Sequence, residues 1–136
     1  VRSEAGPLLW ISGQVALDKE GKLVGEGDLR KQAVQVLENI KAILLDSGAA
    51  MSDIVKVTVY VTDIRAFNDI ADIREKYFPE DGPASVICEV SSLAWPEFMI
   101  EIEAVAIVEW TSSVKTITLK SIGPYGPSAL ASPLET

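Results

Sequence analysis

Two glutamates stand two residues apart in the alternating run Met99 to Glu109, where Ile100, Ile102, Ala104, Ala106 and Val108 share one face. On a strand, alternation places Glu101 and Glu103 together on the other face, roughly 6.5–7 Å apart. The same reasoning assigns Ser12 and Ser85 to that face. Paired carboxylates beside hydroxyls are the material of general acid–base chemistry, with one group taking a proton from water while its neighbour gives one up. A structural use stays open for both: Glu103 paired with Lys56 or another charge, Glu101 held in a hydrogen bond of the fold. Other chemistries lack their parts. The chain contains no histidine, which removes Ser-His-Asp and Cys-His nucleophile systems and nearly all zinc chemistry. Ser12 therefore has no base beside it, and no metal is expected. No GxxxxGK[ST] or GxGxxG motif offers a phosphate cradle.

Charge and composition narrow the partners. Twelve basic residues face twenty acidic ones, a net charge of −8. Nucleic-acid binding needs clustered Lys and Arg, and no such cluster occurs. No apolar run approaches about 18 residues, so no membrane partner is expected. No secretory leader is visible, and the single Cys88 cannot form an internal disulfide. A reducing, cytoplasmic setting is expected. The 136 residues suit one domain with its own core.

The elements that must position these residues read as β β α β α β β β. Leu8 to Leu17 alternates, with Leu9, Ile11, Val15 and Leu17 opposite Trp10, Ser12, Gln14 and Ala16. A turn near Asp18–Gly21 leads to a short strand, Lys22–Val24. Asp28 caps a helix to about Asp46, with Leu29, Ala33, Val36, Leu37, Ile40 and Leu44 on one stripe. Ile54 to Asp63 is a strand with a valine face, Val55, Val57, Val59 and Val61. A second helix runs from about Ala66 to Phe78, stopped by Pro79. In Ala84 to Ser91, Ala84, Val86, Cys88 and Val90 form the apolar side, which makes Cys88 a core residue. Val114 to Lys120 reads as a last strand. Right-handed crossovers put both helices on one sheet face. The other face carries Trp10, Tyr60, Ile87, Val105 and Ile107 among polar residues. A half-polar face of this kind reads as a subunit interface with sites in it.

Four segments together resemble one family. Leu9-Trp-Ile-Ser-Gly-Gln-Val15, Asp53-Ile-Val-Lys-Val-Thr-Val-Tyr-Val-Thr-Asp63, Tyr77-Phe78 with Pro83-Ala84, and Ile100-Glu-Ile-Glu-Ala-Val-Ala106 are similar to the Rid family of reactive-intermediate deaminases, also called YjgF or L-PSP. The resemblance implies an α+β, chorismate-mutase-like single domain with a six-stranded mixed sheet and two helices on one face. It implies a homotrimer with a small-molecule cleft between each pair of subunits. It also implies hydrolysis of enamines and imines to a 2-keto acid and ammonia, with no cofactor.

One motif stands out of place. Ser121-Ile-Gly-Pro-Tyr-Gly-Pro-Ser-Ala129 resembles a segment that precedes the SGQ strand in the family, yet here it follows everything else. Lys115-Thr-Ile-Thr-Leu119 resembles the family's first strand. The order reads as a circular permutation: residues 1–129 form the domain, 114–129 supply the usual N-terminal segment, and 130–136 are a tail.

Carried over residue by residue, the resemblance puts Tyr125, Ser12, Gly13 and Glu101 in the cleft. Ser85 stands where the deaminases carry a carboxylate-clamping arginine, Ala71 stands where they carry an asparagine, and Ile87 completes the lining. The clamp is missing, so the usual activity is expected to be weak or absent. Arg74 offers a substitute from the second helix, its helical neighbours Ile70, Ala71, Tyr77 and Phe78 giving it no charge partner. The alternative lays its stem on Tyr77 and sends its head to solvent or a carboxylate such as Glu101. Two functions remain open, a Rid-type hydrolase and a non-catalytic, metabolite-binding trimer. Ribonuclease activity is disfavoured by the acidic charge and the lack of histidine.

Overall fold

A computed structural model describes residues 6–79 and 81–109. Strand β1 spans Leu8–Gln14, helix α1 Leu29–Asp46, strand β2 Ile54–Val61, helix α2 Ala71–Tyr77, strand β3 Ala84–Glu89 and strand β4 Ile100–Ile107. The sheet order is β1-β4-β2-β3. β4 runs antiparallel to both β1 and β2, while β3 lies parallel to β2 through the α2 crossover. The described sheet is mixed and four-stranded rather than six-stranded. The expected strand at Lys22–Val24 reduces to a single bridge between Leu17 and Leu23. The expected strand Val114–Lys120 lies outside the described residues, as do the permuted segment and tail.

Helix α1 forms as its capping and stripe require. The Asp28 side chain accepts from the Lys31 amide at its start. Ala33, Val36, Leu37, Ile40 and Leu44 are all buried against the sheet. Gly48 takes φ +72 after the helix end, a conformation that favours glycine. Ile70 and Ile73 enter the same core, so both helices cover one sheet face. The second helix is broken: a 3-10 segment, Ile64–Ile70, precedes the short α2. The Asp63 side chain caps that segment through the Arg65 amide.

Two bulges change which residues face the core. Between Ile54 and Lys56 the β2–β4 register slips. Ile54 therefore joins Val57, Val59 and Val61 in the buried face, while Val55 is only half-buried. The valine face expected from alternation is thus an isoleucine and three valines. Between Ile11 and Gln14 the β1–β4 register slips again. Gln14 turns onto the covered side with Ile102, opposite to its expected face.

Gln32 is buried completely in α1. Its Nε2 donates to the Gly25 and Glu97 carbonyls at 3.0 and 2.9 Å, and its Oε1 accepts from the Met99 amide at 2.8 Å. Two of these bonds hold the loop that leads into β4 and the third holds the turn before α1, and a buried amide is tolerated when satisfied in this way.

Candidate functional site

The open sheet face gathers the carboxylates. The bulge at Ser12–Gly13 brings the β1 backbone against Glu101: a Cβ on Gly13 would lie 1.9 Å from Glu101 Oε1. Only glycine leaves the carboxylate room there. Burial, then the neighbouring charge of Glu103, raises the Glu101 pKa above its ordinary value. Glu103 accepts from the Tyr60 hydroxyl at 3.3 Å. It forms no ion pair with Lys56, whose ammonium donates instead to Thr58 Oγ1 at 3.4 Å. A half-buried acid with a raised pKa beside a second, exposed one is a pattern suited to proton transfer.

A second arrangement lies on the helix side, where α2 meets β3. Arg74 donates through Nη2 to Ser85 Oγ at 2.9 Å, and its guanidinium sits 5.3 Å from the Phe67 ring centroid. A cleft of about 360 Å³ opens there, lined by Val57, Phe67, Ala71, Arg74, Phe78 and Ser85 among others. A guanidinium with five donors spends one on a neutral hydroxyl. The aromatic ring backs the cation while its other donors stay available. No carboxylate among the described residues pairs with Arg74.

The two arrangements do not meet within one chain. In the parallel β2–β3 register Ser85 stands beside Val57 and Ile87 beside Val59. Both therefore share the helix-covered face, not the face of Glu101 and Ser12. Cys88 stands beside Tyr60, on the open face rather than in the helix-facing core. The Arg74 head group goes to Ser85 and Phe67, and no ion pair joins it to Glu101. Ser12, Gly13 and Glu101 come together; Ala71, Arg74 and Ser85 come together; Ile87 packs against the core; Tyr125 lies outside the described residues. Phe67 escapes the sequence reading, and Phe78 enters it only as an apolar neighbour of Arg74 and not as part of the cleft. Their signal was present, because Phe67, Ala71, Arg74 and Phe78 recur at spacings of four, three and four, which is one helical stripe. Among the described residues no group of three His, Cys, Asp or Glu side chains could hold a metal ion.

The sequence matches the family described as endoribonuclease L-PSP over residues 2–108. The chain belongs to that family. Relatives of this L-PSP chain include RutC family proteins of Pyrococcus horikoshii and Pyrococcus abyssi. The first is 46% identical over 107 residues, covering 78% of this chain and 83% of the relative. The second is 41% identical over 106 residues, with the same coverage. Among solved structures, YyfB of Yersinia pestis, a member of the conserved Rid protein family, superposes with a TM-score of 0.73 at 39% identity. That match covers 79% of this chain and 83% of the other. RidA from an Antarctic Psychrobacter superposes with a TM-score of 0.69 at 32% identity, covering 78% and 85%. The α+β YjgF-like fold, with two helices on a mixed four-stranded sheet, is shared with them.

Proposed function

We propose that this L-PSP family chain binds a small carboxylate-bearing metabolite in clefts between the subunits of a homotrimer, and hydrolyses imines there. The observation that carries the reading is the Arg74 guanidinium, held between Phe67 and Ser85 at the cleft wall. Ser85 occupies the position at which the deaminases carry their clamp, and Arg74 delivers the same fork of donors from α2 instead. A neighbouring subunit supplies Glu101, Gly13 and Ser12, because one chain keeps these on its other sheet face. In the reaction Glu101 orients a water whose oxygen bonds to the imine carbon. The carbon–nitrogen bond then breaks, nitrogen leaves as ammonia, and a carbonyl remains. No cofactor takes part.

Support for the trimer comes from the open sheet face. Trp10 is 67% exposed, Leu8 51% and Val86 47%, with Val105 and Ile107 half-buried between them. Wet apolar surface of this size costs roughly 25 cal/mol per Å² until another surface covers it. The permuted arrangement, with 114–129 serving as the usual N-terminal segment of a domain spanning 1–129, belongs to the same proposal. It would bring Tyr125 to the cleft. The absence of histidine and the net charge of −8 weigh against ribonuclease activity. The free Cys88 fits a cytoplasmic setting.

The test is calorimetric binding of 2-oxobutyrate, paired with ammonia release from freshly generated 2-iminobutyrate. Binding that weakens about tenfold or more in Arg74→Ala, with the assembly intact, supports the clamp. Binding with no ammonia release selects the non-catalytic alternative. Full binding by Arg74→Ala removes the proposed role of the residue.

A further inference from the structure

The cleft beside Arg74 also holds a group of opposite sign. Glu75, the next residue of α2, lines the same cleft as Arg74, Phe67, Phe78 and Ser85. Among the described residues it has no cation within ion-pair distance. It is also exposed, so a ligand can reach it. The cleft is therefore lined by an arginine with free donors and by a glutamate next to it in α2, together with the apolar Val57. That pattern complements a ligand with an anionic and a cationic group on adjacent atoms and an apolar stem.

We infer that Glu75 makes the cleft select ligands that carry a positively charged nitrogen next to their carboxylate, the charge pattern of a protonated 2-imino acid or an amino acid, over the uncharged carbonyl of a 2-keto acid. The inference rests on the carboxylate-binding reading of Arg74. It adds a direction to the chemistry. Hydrolysis exchanges the nitrogen for a carbonyl oxygen, so Glu75 attracts the reactant and loses its attraction when ammonia departs. Product release is then favoured by the reaction itself, while Arg74 holds both species equally. Because Glu75 is exposed, its discrimination is modest, about three- to tenfold.

The experiment compares L-2-aminobutyrate with 2-oxobutyrate, two probes of nearly equal shape. Each is titrated into the wild type, Glu75→Gln and Arg74→Ala, at low and high salt. The expected result is a preference for the amino acid in the wild type that falls about three- to tenfold in Glu75→Gln, and that also falls at high salt. Binding of 2-oxobutyrate to Glu75→Gln is unchanged or tighter. An unchanged preference in Glu75→Gln, with both probes still lost in Arg74→Ala, overturns the inference and leaves the Arg74 reading standing. Binding of both probes undiminished by Arg74→Ala overturns the Arg74 reading and this inference with it. The same holds if neither probe binds the wild type.

Discussion

The carboxylate of Glu101 lies where a side chain on residue 13 would have to be, with only 1.9 Å between Oε1 and a Cβ placed on Gly13. The colliding atoms are the far end of a half-buried side chain, which can swing away. Gly13→Ala should therefore change stability by no more than about 1 kcal/mol while displacing Glu101. In the folded protein burial raises the Glu101 pKa. A swing toward water should return it toward the ordinary carboxylate range. Carbon-detected titration of the Glu101 carboxyl in both proteins checks this, and an unmoved pKa counts against the contact.

Arg74 and Ser85 occupy one another's reach, at 2.9 Å. Placing an arginine on β3 by Ser85→Arg alone should fail to improve binding, because two guanidinium groups would share one wall of the cleft. Arg74→Ala with Ser85→Arg should bind 2-oxobutyrate at least about tenfold better than Arg74→Ala alone. Calorimetry on the three variants settles which side chain serves as the clamp.

Gln32 satisfies three backbone groups at once. Gln32→Leu keeps the volume and orphans the Glu97 carbonyl and the Met99 amide, while the Gly25 carbonyl keeps its bond from the Asp28 amide. The loss should be about 3 kcal/mol or more, read from urea unfolding midpoints at an unchanged slope.

Acid should act on two exposed pairs. Arg30 holds Asp72 at 2.7 Å and Arg65 holds Asp63 at 2.7 Å. Chiefly through the hydrogen bond from each arginine, both aspartates sit at about 2, against an ordinary 3.8. A carboxylate whose folded pKa is depressed adds stability above its unfolded value and loses it as pH falls through the folded one. The melting temperature should hold near neutrality and drop from about pH 4 to pH 2. Asp72→Asn should lose slightly less over that window, a small difference because both pairs are solvated.

Trp10 stands exposed beside Val105 on the open face. Wild-type light scattering should give three times the 14.7 kDa chain mass. Trp10→Glu should shift the population toward monomer, because a buried, unpaired charge at an interface is costly. A wild-type mass of one chain refutes the trimer.

Much of the fold was legible because α1 and β4 each bury a single face. The stripe from Ala33 to Leu44 and the alternation from Ile100 to Ala106 leave no second solution. β3 was different. Ala84, Val86 and Cys88 are more apolar than Ser85, Ile87 and Glu89, so alternation turns the wrong set toward the helices. The parallel pairing of Ser85 with Val57 decides it, and that pairing is a long-range fact. The same limit hid the bulges, since a register slip moves side chains between faces without altering composition. The consequence fell on the site: Ser85 was assigned to the face of Glu101 when it belongs with Arg74.

The Gln32 side chain is in effect a peptide group carried on a stem, offering the loop before β4 the donor and acceptor that a neighbouring strand would otherwise provide. Among the described residues no strand pairs with that loop. Within it Phe98 is fixed by its own burial with Val15 and Leu17, while the exposed Ala94, Pro96 and Glu97 are released from the demand for strand-forming side chains. A scaffold built in this way holds one rim of its sheet fixed from a distance, and leaves the exposed positions of that rim open to drift.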